Sequence, residues 1–260
     1  MEHGRAESAE GLEGVESIDG GLATASGSGR SPLRIALAWG VHLFTASGAL
    51  AGLLALLMAT RGDLRAAALW MLAAMAIDSV DGTLARAVGV RRVLPGIDGR
   101  RLDDVVDFFN YVLVPAVFLV AGGYLIHAAW AALPVLASAY GFSQEKAKTD
   151  DGFFLGFPSY WNVIAIFAWL LEVSALTCTA FVALFSVLVF VPFKYVYPSY
   201  LRVLKRTTAV LTAIAAAVVV YAIFDPERGR ALYLPWIALG YVAYYFALSM
   251  WLGGLHRPAR

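Results

Sequence analysis

Beyond residue 42 the chain alternates long apolar runs with short clusters of charge. A helix needs an uncharged apolar run of about 17–25 residues to cross a bilayer. By that criterion the pattern predicts spans near 43–60, 65–86, 99–122, 125–142, 154–172, 173–193, 207–224 and 232–252. The third and fourth runs are separated by Gly122-Gly123 and the fifth and sixth by Glu172. Pro158 would fall in the first turn of the fifth span, where proline is tolerated. Residues 33–42 mix apolar and basic positions with Trp39. They read either as an amphipathic helix over 32–42 lying in the membrane interface or as the first turns of the first span. Residues 1–31 are rich in Gly, Ser, Ala and Glu and nearly lack large apolar side chains. Such a segment cannot bury enough surface to order itself, and without a basic start and an apolar core it is not a secretory signal. The expectation is a disordered tail over 1–31 and a membrane domain over 43–260. The fold expected is that of an all-α integral membrane protein of about eight transmembrane helices, both termini on one side.

Composition strengthens this picture. Hydrophobic residues make up 60% of the chain and charged ones 15%, which excludes an ordinary soluble domain. The lone cysteine, Cys178, lies in an apolar run and reads as a buried small residue. The predicted loops divide the twenty basic residues unequally. Sixteen, among them Arg86, Arg91, Arg92, Arg100, Arg101 and Lys194, lie at one end of the spans, and only Arg61, Arg65, Arg228 and Arg230 lie at the other. Lysine and arginine mark the cytoplasmic side, so both termini and the first end are expected in the cytoplasm.

At that end four aspartates interrupt apolar sequence. Asp78 and Asp81 belong to Asp-Ser-Val-Asp-Gly82-Thr-Leu-Ala85-Arg86, and Asp103 and Asp107 to Gly99-Arg-Arg-Leu-Asp-Asp-Val-Val-Asp. At about 100° per residue, Asp78, Asp81, Gly82 and Ala85 share one helix face, and Gly99, Asp103 and Asp107 share another. Asp104 points away and reads as a solvated or pairing residue. Opposed, the two faces would gather four carboxylates that repel one another by roughly 4 kcal/mol per pair at 4 Å. Divalent cations relieve that repulsion. Oxygen-only ligands suit Mg²⁺ or Mn²⁺, which complete their shells with phosphate oxygens. Glycine and alanine on the same faces let a bulky group approach the backbone, and Arg86 offers a planar phosphate donor.

The pattern Asp-x2-Asp-Gly-x2-Ala-Arg followed by Gly-x3-Asp-x3-Asp resembles the signature of the CDP-alcohol phosphotransferases, and all its positions are filled. Twelve residues separate Arg86 from Gly99, against about eight in most of that superfamily. The longer spacer resembles the bacterial phosphatidylcholine synthases, as do the stretches 148–162 and 191–199. The resemblance implies the CDP-alcohol phosphotransferase fold, the bacterial inner membrane with the site facing the cytoplasm, and a homodimer. It also implies transfer of the phosphatidyl group of CDP-diacylglycerol to choline, with release of CMP, and gives no reason to expect a nucleic-acid partner. It further implies two divalent cations, Mn²⁺ or Mg²⁺, one on Asp78, Asp81 and Asp103 and one on Asp78, Asp103 and Asp107. Asp107 would be the general base, and Asp81, Gly82, Ala85, Arg86 and Gly99 would surround the nucleotide.

Choline itself rests chiefly on the resemblance. Quaternary ammonium is held over aromatic faces, and Tyr111, Tyr160, Trp161 and Tyr197 are the candidates at the cytoplasmic ends of spans. Lys146, Lys148 and Lys194 could meet the lipid phosphate or anchor helices at anionic headgroups. Two other readings stay open: another acceptor such as serine, and a cation transporter. A transporter would spread acidic residues through the membrane depth, whereas these cluster at one end.

Overall fold

The computed structural model describes residues 31–144, 149, 151–197, 201 and 203–255. Of the expected tail only Ser31 is among them. Its side chain accepts from the Arg34 amide and caps α1 (Pro32–Thr60). Residues 32–42 are therefore the opening turns of one continuous 29-residue helix. At 1.5 Å per residue α1 is about 43 Å long, more than the ~30 Å hydrocarbon core, so some turns must project from it.

Asp63 accepts from the Ala66 amide at 2.9 Å and starts α2 (Leu64–Val88), which ends at Gly89 in the left-handed conformation, φ 71°. The twelve-residue spacer contains a short helix, α3 (Val90–Val93). Val90 and Val93 pack on Ala38 and Val41 and bury that one face of α1, while Leu33, Leu37 and Trp39 stay exposed. Asp98 then caps α4 (Gly99–Phe108) by accepting from the Arg100 and Arg101 amides. A π-turn over Phe109–Leu113 joins α4 to α5 (Val114–Ala121) without a break, giving 23 helical residues. Pro115 has no amide hydrogen to donate back along the helix, and widening the preceding turn accommodates that gap.

The remainder comprises α6 (Ala132–Phe142) after a 3₁₀ turn at Ala128–Ala131, β1 (Phe153–Leu155), α7 (Trp161–Leu170), α8 (Ala175–Leu188) and β2 (Lys194–Val196), followed by α9 (Lys205–Phe224), α10 (Pro226–Ala231) and α11 (Leu234–Leu252). The helices α1, α2, α4–α5, α9 and α11 are long and apolar enough to cross a membrane, while 128–142, α7 and α8 are apolar but shorter. The breaks expected at Gly122-Gly123 and Glu172 are present; Gly123 has φ 71° and Glu172 φ 50°.

Two expected boundaries are corrected. The fifth span does not begin at 154, because Phe153–Leu155 pairs antiparallel with Lys194–Val196. Gly152 and Gly156, both at positive φ, bracket that triplet, and Ser159 after Pro158 is also left-handed, so no helix starts before Trp161. Pro158 consequently lies outside the helix. The sixth span stops at Leu188 instead of 193, and Pro192 disfavours helix at the residue before it.

Close approach of α1 to α4 fixes the register of the site. Gly48 and Gly52 form a small-residue stripe of the kind that brings membrane helices together. The Asn110 amide donates to the Gly48 carbonyl at 3.1 Å. A methyl group on Gly52 would collide with Asn110 Oδ1 and stand 2.9 Å from the Phe109 ring. Gly52→Ala is expected to destabilise by about 1–3 kcal/mol through overpacking, read as a lower melting midpoint in detergent, with Gly40→Ala, which meets nothing within 4 Å, as the neutral control.

Candidate active site

The C-terminal half of α2 and one face of α4 supply the acidic centre. Asp78, Asp103 and Asp107 each turn a carboxylate oxygen inward so that the three atoms lie within 4.8 Å of one another. Asp103 and Asp107 are one helical turn apart on α4, as their spacing predicts. At that separation, with an effective dielectric near 20, each ionised pair repels by roughly 3–4 kcal/mol. Three partly buried carboxylate donors fit a hard divalent cation, which requires oxygen ligands and relieves that repulsion.

Asp81 does not join this group. It is 6% exposed, one turn beyond Asp78, with Thr45 of α1 as its hydrogen-bonding neighbour. The expected cluster of four is thus a group of three, the set assigned above to the second cation, with a buried carboxylate beside it. Asp104 is exposed, as expected.

Around the acids, Arg86 lies exposed at the end of α2 and donates to Thr83 Oγ1 at 3.0 Å; its guanidinium would be 3.3 Å from a methyl group placed on Gly82. Ala85 packs against the Ala38, Val41, Val90 and Val93 cluster. Gly99 faces His42, whose Cε1 would be 3.1 Å from a Cβ there. His42 is 7% exposed and its Nε2 has no hydrogen-bond partner among the described residues. Sequence reading passed over His42 and Thr45, since isolated polar residues in an apolar helix most often belong to the core. Their i, i+3 spacing, which puts both on one face, was the available signal.

The aromatic candidates separate. Tyr111, in the π-turn, donates its hydroxyl to Asp78 Oδ2 at 2.7 Å. Its ring lies 6.5 Å from that of Tyr160, which lies 6.1 Å from Tyr245 of α11. Tyr245 was not expected here; its hydroxyl donates to the Val196 carbonyl at 2.9 Å and ties α11 to the hairpin. Trp161 is corrected to a core residue: it is 0% exposed, and its indole nitrogen donates to Ser138 at 2.7 Å. Tyr197 packs against Phe154, centroids 4.6 Å apart.

Among the lysines, Lys194 pairs with Asp151 at 2.6 Å and lies over the Phe153 ring, bracing the hairpin. The lysine and the Thr149 hydroxyl hold the Asp151 carboxyl below its ordinary range. A depressed carboxyl stabilises above its unfolded value and loses that contribution only as pH falls through the folded one, so the brace persists at neutral pH. Lys146 and Lys148 lie outside the described residues.

Apolar helices gathered around an acidic centre define a membrane protein whose two-part aspartate motif resembles that of the CDP-alcohol phosphotransferases. No protein-family model matches the chain. It is 39% identical over 229 residues to a phosphatidylcholine synthase of Legionella pneumophila, covering 82% of this chain and 88% of the relative. It is 33% identical over 224 residues to that of Borreliella burgdorferi, covering 85% and 96%. With the enzyme of Bradyrhizobium diazoefficiens the identity is 40% over 195 residues, covering 74% and 73%. The chain belongs to the phosphatidylcholine synthase family.

Proposed function

We propose that the chain transfers the phosphatidyl group of CDP-diacylglycerol to the hydroxyl of choline, giving phosphatidylcholine and CMP. The observation that carries the chemistry is the convergence of Asp78, Asp103 and Asp107 within 4.8 Å on adjacent helices. The acceptor is supported by the relatives, all three named for phosphatidylcholine synthesis.

Asp78, Asp103 and Asp107 would hold a divalent cation, Mg²⁺ or Mn²⁺, with Asp81 contributing to a second. Bound there, the cation would neutralise phosphoryl oxygens of the pyrophosphate and stabilise the departing CMP. The chain's own residues do the rest. Asp107 accepts the proton of the choline hydroxyl as its oxygen attacks phosphorus. Arg86, exposed beside Gly82, binds the nucleotide phosphate, and Gly82 leaves room for the nucleotide. Tyr111 fixes the Asp78 carboxylate through its hydroxyl and, with Tyr160, offers aromatic surface to the trimethylammonium. Those two rings are too close to sandwich the cation, so it would rest across their shared edge.

Eight passes with both termini and this centre on the cytoplasmic side of the inner membrane fit the distribution of arginine and lysine, and two copies are expected to pair. Any interfacial role of residues 32–42 falls to the projecting turns of α1. CMP release by purified protein given CDP-diacylglycerol, Mg²⁺ or Mn²⁺, and either choline or serine tests the reading. Choline should support turnover at least a hundredfold faster; release with serine alone would transfer the chain to another acceptor. Tyr111→Phe, which removes the 2.7 Å hydrogen bond to Asp78 but keeps the ring, should lower kcat about tenfold with little change in choline KM. Tyr111→Ala should also raise that KM.

A further inference from the structure

The end of the helices remote from the acidic centre holds a cavity of about 590 Å³. Arg65, on its wall, precedes Asp78 by thirteen residues on α2, roughly 20 Å along the axis at 1.5 Å per residue. The cavity is therefore a separate site. Its volume lies within the range of small-ligand pockets, about 300–1,000 Å³.

Three of its charges are committed to the fold. Arg230 pairs with Glu172 at 3.3 Å, and Asp225 caps α10 by accepting from the Arg228 amide at 3.1 Å. Tyr124 is held as a neutral hydroxyl, pushed up by burial and by the neighbouring Glu172 carboxylate. Two further charges have no ion-pair partner among the described residues: Arg65, whose guanidinium lies 6.0 Å over the Phe224 ring, and Glu227. Trp169 adds an aromatic wall. A free anion would answer Arg65 and be repelled by Glu227, and a free cation would do the reverse. A zwitterion answers both.

Exposed aromatic residues at the same end indicate where that zwitterion comes from. Trp130, Tyr233 and Trp236 present their rings outward at the ends of apolar helices, the position such residues take at headgroup level. We propose that this cavity binds the zwitterionic phosphoalcohol headgroup of a membrane lipid in the leaflet opposite the acidic centre. Arg65 takes the phosphate, and Glu227 with Trp169 takes the ammonium.

The test is the melting midpoint of the full chain in detergent, titrated with diheptanoyl phosphatidylcholine, diheptanoyl phosphatidylglycerol or free phosphocholine. Phosphatidylcholine should raise the midpoint saturably, with the other two at least tenfold weaker. Arg65→Ala and Glu227→Gln should each weaken that response at least tenfold while leaving CMP release unchanged. Asp107→Ala, altered only at the acidic centre, should retain the response, which separates this cavity from product binding at that centre. Equal shifts with all three additives, or shifts that ignore both substitutions, would overturn the proposal. Phosphocholine matching the lipid would overturn the lipid source and reassign the cavity to a soluble zwitterion.

Discussion

Asp103→Ala is expected to cut CMP release by at least a thousandfold while the protein still inserts, purifies and melts as a folded species. Asp103 lies between Asp78 and Asp107 in the chemistry, because both cations implied by the motif share it. Its loss removes an oxygen ligand and leaves two carboxylates whose mutual repulsion is lower. The fold gains, if anything, from relief of that repulsion, since breaking up a cluster of like charges lowers its electrostatic cost. Activity and stability should therefore move apart. Asp107→Ala should be equally inactive, since it removes the proposed base, an effect of about 10²–10⁴-fold on its own, together with a metal ligand. Asp104→Ala, at an exposed neighbour outside the cluster, should retain most activity. If Asp103→Ala keeps a tenth of the wild-type rate, the acidic centre is not where the reaction occurs.

Removing divalent cations should have the second largest effect. Chelation with EDTA is expected to abolish CMP release to within about 1% of background, and added Mn²⁺ or Mg²⁺ should restore it. Ca²⁺ should restore less, because its longer bonds and looser shell hold phosphate oxygens less rigidly. The measurement is initial rate against free metal concentration. A rate indifferent to EDTA would leave the three carboxylates without the chemical purpose assigned to them.

The acidic centre was legible in the sequence because helical geometry is local: the spacings of Asp78, of Asp103 and Asp107, and of Gly99 each fix a face. That the two faces meet was not local: Asp78, Asp103 and Asp107 converge, and Asp81 stands buried beside them. Asp81 shares a face with Asp78, yet α1 approaches α2 closely enough for Thr45 to engage it. On its other side α1 is seated by Gly48 and Gly52 meeting Asn110, and such packing is a tertiary fact that no periodicity carries. The long helices were legible from hydropathy alone, whereas the β1–β2 hairpin was not. Phe153–Leu155 is a short apolar run, and such runs look alike as strand or helix until a partner is known; that partner, Lys194–Val196, is distant in sequence. Gly152 and Gly156 around the first strand were the signal that could have located it. The aromatic surface shows the same limit. Tyr111 and Tyr160 lie near the acidic centre, whereas Trp161 is fully buried with its indole on Ser138, a partner from another helix that spacing along the chain does not reveal.

The measurement closest to the centre of this account is a Mn²⁺ titration of the detergent-purified chain followed by electron paramagnetic resonance of the free ion. Saturable binding of at least one Mn²⁺ per chain is predicted, strengthened by CDP-diacylglycerol and lost in a variant carrying Asp78→Ala, Asp103→Ala and Asp107→Ala together. Binding that survives the triple substitution, or a wild-type chain that takes up no Mn²⁺ with the lipid donor present, would contradict it.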